Sequence, residues 1–131
     1  MILLDTDICI EILRGNKKVI SRREKENDTI AISFLTVGEL YYGAYKSTYP
    51  EKNIVLVEKF VLSVDVLQSN RHIMKQFGEL KARLIKAGTS LPDADIIIAA
   101  TSLSKCKKLI TGNTSHFNKI DELKLENWSK N

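Results

Sequence analysis

The chain has 131 residues, 44% of them apolar and 27% charged, with a formal net charge of +4. That describes one ordinary globular domain with room for a core, and no apolar run approaches the roughly 20 residues needed to span a bilayer. Two cysteines, Cys9 and Cys106, make no disulfide framework and lack zinc spacing; the opening MILLDTD has no basic leader and meets an acid early, so no signal peptide and a cytoplasmic location are expected.

Ile2–Leu4 predicts a short, wholly apolar strand of the kind covered on both faces. Thr6 or Asp7 is suited to cap a helix with Ile8, Ile12 and Leu13 inward and Gly15 at its end. A basic helix follows around Val19–Lys25. It lies in the run RGNKKVISRREK, where Arg14, Lys17, Lys18, Arg22, Arg23 and Lys25 stand against Glu24 alone. Ile30–Phe34 reads as a second strand and Thr36–Tyr45 as a helix. After Pro50 comes a helix carrying Ile54, Leu56, Val57, Phe60 and Val61.

Val64–Leu67 is a third predicted strand. Asn70–Ala87 is the most plainly amphipathic helix, with Ile73, Phe77, Leu80, Leu84 and Ile85 on one face and Gly88 as its stop. Pro92 opens a helix running to about Lys105, and strands are expected at Leu109–Thr111 and Leu123–Leu125. Short buried strands alternating with helices predict a single α/β domain: a parallel sheet of four to five strands with helices on both faces. In such sheets the ligand site lies beyond the carboxyl ends of the strands.

Carboxylates gather there: Asp5 and Asp7 in LLDTD, Glu39 in TVGEL, and Asp93 and Asp95 in LPDADIIIAA. No histidine or cysteine accompanies them in sequence. His72 and His116 stand alone, and acids grouped without a base stay ionised together only if a cation neutralises them. The expected cation is hard and oxygen-bound, Mg²⁺ or Mn²⁺.

For Asp7, helix capping is as good a reading as function; for Asp5 it is weaker, because Asp5 ends a buried strand. Thr36-Val-Gly-Glu39 fits a capping box, so from that segment capping and metal ligation stand level for Glu39. The other acids tip it toward ligation. Asp95 begins a helix that is apolar nearly all round, where an unpaired charge is costly. Asp93 lies about 200° from Asp95 round that helix, so it is read as the cap and Asp95 as the ligand.

These elements, LLDTD, ISFLTVGEL, PDADIIIAAT, LITGNTSHF and a terminal LKLENW, resemble a PIN domain of the VapC toxin type over essentially the whole chain. The resemblance implies a three-layer α/β/α domain and a Mg²⁺/Mn²⁺-dependent endoribonuclease that leaves a 3′-hydroxyl. It also implies a homodimer and inhibition by a VapB-like antitoxin that inserts a segment at the active site. Residue by residue it assigns Asp5, Glu39 and Asp95 as the acids and Thr6 as a small polar neighbour. Asn113 stands where some members carry a fourth acid, which puts a tightly held second metal in question.

Lys17, Lys18, Arg22 and Arg23 are candidates for holding the RNA backbone, against the blander reading of a solvated helix face. Two other functions stay open at this level. Asp5-Thr6-Asp7 imitates the start of a haloacid-dehalogenase-like phosphatase, whose first Asp is a nucleophile. A non-catalytic, metal-stabilised RNA- or protein-binding domain is the third reading.

Overall fold

The computed structural model describes residues 1–130. Chain order begins β1 (Ile2–Leu4), α1 (Thr6–Leu13), α2 (Lys17–Lys25), β2 (Ile30–Ser33), α3 (Phe34–Tyr45) and α4 (Pro50–Leu62). It continues with β3 (Asp65–Leu67), α5 (Arg71–Lys86), α6 (Asp93–Lys105), β4 (Leu109–Ile110), α7 (Thr114–Phe117) and β5 (Leu125–Glu126). The five strands run parallel in the order β3-β2-β1-β4-β5. β1 is central, so the residues that follow it arrive in the middle of the sheet's carboxyl edge.

Strand alternation divides the core in two. Leu3, Ala31 and Leu109 pack with Ile73, Leu80, Ile96, Ile98 and Phe117, under α5, α6 and α7. Ile2, Leu4, Ile32 and Ile110 pack with Ile8, Val19, Leu40, Val57, Phe60 and Trp128, under α1 to α4. The result is the three-layer sandwich that the alternating pattern predicts. Each fully buried Leu or Ile contributes roughly 1.5–3 kcal/mol of transfer free energy, so the central strand is anchored from both faces. No helix among the described residues is long and apolar enough to cross a membrane, and Cys9 and Cys106 are both free thiols.

Several expected boundaries shift, with consequences for the site. Asp5 itself is the N-cap of α1, its side chain accepting from the Thr6 N–H, so neither Thr6 nor Asp7 has that task. α2 begins at Lys17, two residues before the expected start, because the Asn16 side chain accepts from the Lys18 and Val19 N–H groups. α3 begins at Phe34 because the Ser33 hydroxyl oxygen accepts from the Leu35 N–H. Thr36 is therefore inside the helix and buried. The capping-box reading of Glu39 falls, since no helix starts at Thr36.

Asp93 is not a side-chain cap either. Pro92 occupies the N-cap position without a side-chain hydrogen bond, and Asp93 turns outward to Lys81 at 3.0 Å. Ile85, expected on the inner face of α5, is 58% exposed because the core contacts end at Leu84. α7 was not expected, and the final strand lies at Leu125–Glu126 rather than Leu123–Leu125. Gly15 and Gly88 do close their helices, both at positive φ (83° and 81°) where side-chain-bearing residues are strained.

Candidate active site

Asp5 leaves β1 at the centre of the sheet and enters α1 at once, so its carboxylate is buried, at 6% exposure. One oxygen accepts from the Thr6 N–H at 2.8 Å; the other accepts from the Thr111 hydroxyl at 2.8 Å, just past β4. Adjacent strands of the parallel sheet deliver these two partners to one point. Burial, then the charge of Asp7, raises the Asp5 pKa to about 7, against the lowering effect of its two hydrogen bonds; Asp95 raises it further.

Glu39 comes from the second turn of α3 and is held differently. Its exposed side chain accepts from the Thr6 hydroxyl at 2.7 Å, and the Thr36 hydroxyl lies 3.0 Å from that same Thr6 oxygen. With Thr6 donating to Glu39, Thr36 is left to donate to Thr6. Asp95, in the first turn of α6, keeps 22% side-chain exposure. The desolvation expected of it is partial, because it faces an open cavity rather than the core.

Asp5, Thr6, Asp7, Ile10, Glu39, Asp95 and Asn113 line one cavity of about 260 Å³. The three acids singled out from sequence are thus brought to one place, with Thr6 and Asn113 beside them. Asp93 is not. Lys17, Lys18, Arg22 and Arg23 do not line the cavity: Arg22 pairs with Glu126, and Arg23 lies over the Phe60 ring at 5.3 Å and donates to Ser63. The Lys18 ammonium stands 3.5 Å from the Ser129 carbonyl oxygen.

Sequence reasoning missed His116 and Thr111 as participants and left Asp7 between capping and function. His116 does accompany the acids: its Nδ1 lies 2.8 Å from the Asn113 side-chain nitrogen and 3.5 Å from Asp95 Oδ2. The TGNTSHF stretch carried the only available signal, and α7 turns it back onto the site. Thr111 serves Asp5 as a donor, and its oxygen also accepts from the Asn113 N–H at 2.9 Å. Asp7 accepts from the Gly112 N–H at 2.9 Å. Burial first, with Asp95 and Glu11 adding to it, raises the Asp7 pKa against its backbone hydrogen bonds.

Such a cluster asks for positive charge. Its donors are carboxylate, hydroxyl and amide oxygens, the set preferred by hard divalent cations. The Asp7 Oδ1 atom is buried with no hydrogen-bond partner, which a cation would relieve. Among the described residues no three His, Cys, Asp or Glu side chains are already drawn together around one point. The residues fit a cation-binding pocket rather than a closed structural cage.

The PIN domain model matches residues 2–123. This chain belongs to the PIN domain family, in its VapC branch. The chain is 36% identical over 127 residues to ribonuclease VapC2 of Haemophilus influenzae, covering 96% of both chains. It is 34% identical over 128 residues to the tRNA(fMet)-specific endonuclease VapC of Shigella flexneri, covering 97% of each. Among solved structures, the VapBC2 complex of Rickettsia felis bound to promoter DNA matches with a TM-score of 0.91 at 30% identity, covering 98% of this chain and 99% of that one. VapBC-1 of nontypeable Haemophilus influenzae matches at 0.89 and 34%, covering 99% and 100%. The five-stranded parallel sheet and its two helical layers are those of this branch of PIN domains.

Proposed function

We propose that this PIN domain is an endoribonuclease that hydrolyses RNA phosphodiester bonds, dependent on Mg²⁺ or Mn²⁺, and is the toxin of a VapBC-type toxin–antitoxin pair. The observation that carries this reading is the meeting of Asp5, Glu39 and Asp95 in one cavity at the carboxyl edge of the sheet. The ribonuclease names of the relatives favour it over the phosphatase and the non-catalytic readings. Solved complexes of such relatives with VapB support an antitoxin as partner. A homodimer in the cytoplasm remains the expected state. The Shigella relative's name makes tRNA the class of RNA to assay first.

Asp5 and Asp95, with Glu39, would hold the cation. When bound, it supplies Lewis acidity at the scissile phosphodiester and offsets the repulsion between the acids and the RNA. Asp5 cannot swing, because both its oxygens are tied to Thr6 and Thr111. It fixes the geometry against which the phosphate is placed. Glu39 is exposed and tethered through one oxygen, so its other oxygen is free to take a proton from the attacking water. The water oxygen forms a new bond to phosphorus while the bond to the 3′ oxygen breaks, and that oxygen leaves as a 3′-hydroxyl by taking a proton from solvent, to which Glu39 afterwards returns the proton it took. Lys17 and Lys18, exposed on α2, are available to more distant parts of the RNA strand. Arg22 and Arg23 are already engaged within the protein.

The test is cleavage of purified tRNA by the purified chain with Mg²⁺ or Mn²⁺, against Asp5→Asn and Asp95→Asn. Both variants should fold normally and lose metal-dependent cleavage. Undiminished cleavage by either one refutes the site.

A further inference from the structure

A second groove opens from the acid cavity. It lies between α1, α3 and α4, has a volume of about 460 Å³, and shares Thr6, Ile10 and Glu39 with the acids' own cavity, so the two form one continuous depression. Leu40 and Val57, both buried, give it an apolar floor. Gly43 also lines it, one turn beyond Glu39 on the same face of α3 and about 6 Å farther along the axis. The Gly43 backbone is not at positive φ, so its conformation does not require glycine, and alanine there would favour the helix. A Cβ at Gly43 would meet nothing within 4 Å. Gly38 and Gly78 are equally unobstructed, but they are exposed on helix surfaces, whereas Gly43 is half-buried in the groove. The protein itself leaves this space unfilled.

The walls define what fits it. Apart from Glu39, the charged residues lining the groove are Arg14 and Lys46, both exposed and both cationic. The Lys46 ammonium lies over the Tyr42 ring at 4.8 Å, and Tyr42 is 66% exposed. At the far end the Asn53 carboxamide gives one N–H to the Ser47 hydroxyl oxygen at 2.8 Å, which leaves it a second N–H and a carbonyl oxygen. These groups suit an unpaired nucleotide: the ring and the apolar floor take the base, the amide takes its edge, and the cations take the phosphates beside it. We propose that the groove binds the unpaired nucleotide adjoining the scissile phosphate, with Tyr42 stacking on the base and the space over Gly43 seating it. This rests on the nuclease reading above. It makes Tyr42 and Gly43 positions that determine specificity for RNA unpaired at the cut, not catalytic residues.

Fluorescence anisotropy of the full chain in Ca²⁺, with a labelled unpaired oligoribonucleotide and with the matching duplex, tests this beside cleavage of the same RNA in Mg²⁺. Gly43→Leu puts a side chain into the open space and should melt no lower than the unaltered chain. It should weaken unpaired RNA about 5- to 150-fold, the worth of one stacked base, and leave duplex binding within about twofold. Tyr42→Ala should lose as much, and Tyr42→Phe, which keeps the ring, should bind as the unaltered chain does. An abasic site beside the mapped cut should cost the unaltered chain a similar factor. It should cost Gly43→Leu almost nothing further, the non-additivity of groups that share one contact.

Binding of unpaired RNA by Gly43→Leu or by Tyr42→Ala within about twofold of the unaltered chain, less than one stacked base contributes, overturns the proposal and leaves the groove to a protein segment. An equal loss for the duplex also overturns it. If the chain cuts RNA and Gly43→Leu cuts it at unaltered kcat/KM, only the groove's role falls. If the unaltered chain cuts no RNA yet still binds the unpaired form through Tyr42, the nuclease reading falls and the groove stands as a binding site.

Discussion

Asp5 and Glu39 line the same cavity yet are held in opposite ways. Asp5 is buried, carries two hydrogen bonds and sits at the exit of the central strand. Glu39 is exposed, rides on the second turn of a helix and is tethered by one threonine hydroxyl. A carboxylate fixed from both sides suits a stationary ligand, and one with a free oxygen suits the movement of a proton. In the proposed reaction the same pocket would divide positioning from proton transfer by burial. Thr6 joins the halves, with its N–H on Asp5 and its hydroxyl on Glu39.

The largest expected effect tests the mobile half. Glu39→Gln keeps the size and the contact with Thr6, but removes the base, so cleavage should slow about 100- to 10,000-fold with melting essentially unchanged. A matching loss of melting temperature would make Glu39 structural and erase the contrast with Asp5.

The buried half should reveal itself through pH. Asp5 is raised to about 7 and Asp7 is also raised, each first by burial. An unfolded chain releases these protons near pH 4, so between about 4 and 7 the folded state binds more protons than the unfolded one. Stability of the metal-free protein should therefore fall as pH rises through that interval. Asp28, Glu122 and Glu126 are lowered by their cationic partners, which stabilise the fold above the ordinary carboxylate range and lose that effect below it, outside this window. Melting from pH 5 to 7 should show the downward slope. It should flatten in Asp5→Asn and persist in Glu39→Gln; an equal slope in all three proteins rules out burial of Asp5 as its origin.

The smallest effect belongs to the link. Thr6→Val keeps the N–H to Asp5 and deletes the hydroxyl to Glu39. Cleavage should drop only by the worth of one hydrogen bond, roughly 2- to 10-fold, while the pH slope of stability stays as it was. A change in that slope would mean that the Thr6 hydroxyl supports Asp5 as well.

The sequence by itself determined the architecture and the three acids. Apolar stretches such as Ile2–Leu4 and the helix from Asp93 cannot be satisfied outside a covered sheet, so their order along the chain dictates the layers. Asp5 was legible because it interrupts an apolar run at the strand's end. The tertiary structure alone decided how each acid is held. Whether Glu39 caps a helix depended on Ser33 starting α3 two residues early, a competition between neighbouring hydroxyls that sequence leaves balanced. Asp93 does not line the cavity and pairs instead with Lys81 of the packed α5. His116 entered it because α7 folds back over the end of β4, and Asp7 met Gly112 across more than a hundred residues of chain. Contacts of that range are set by how strands register in the sheet, so they have no local signature to read.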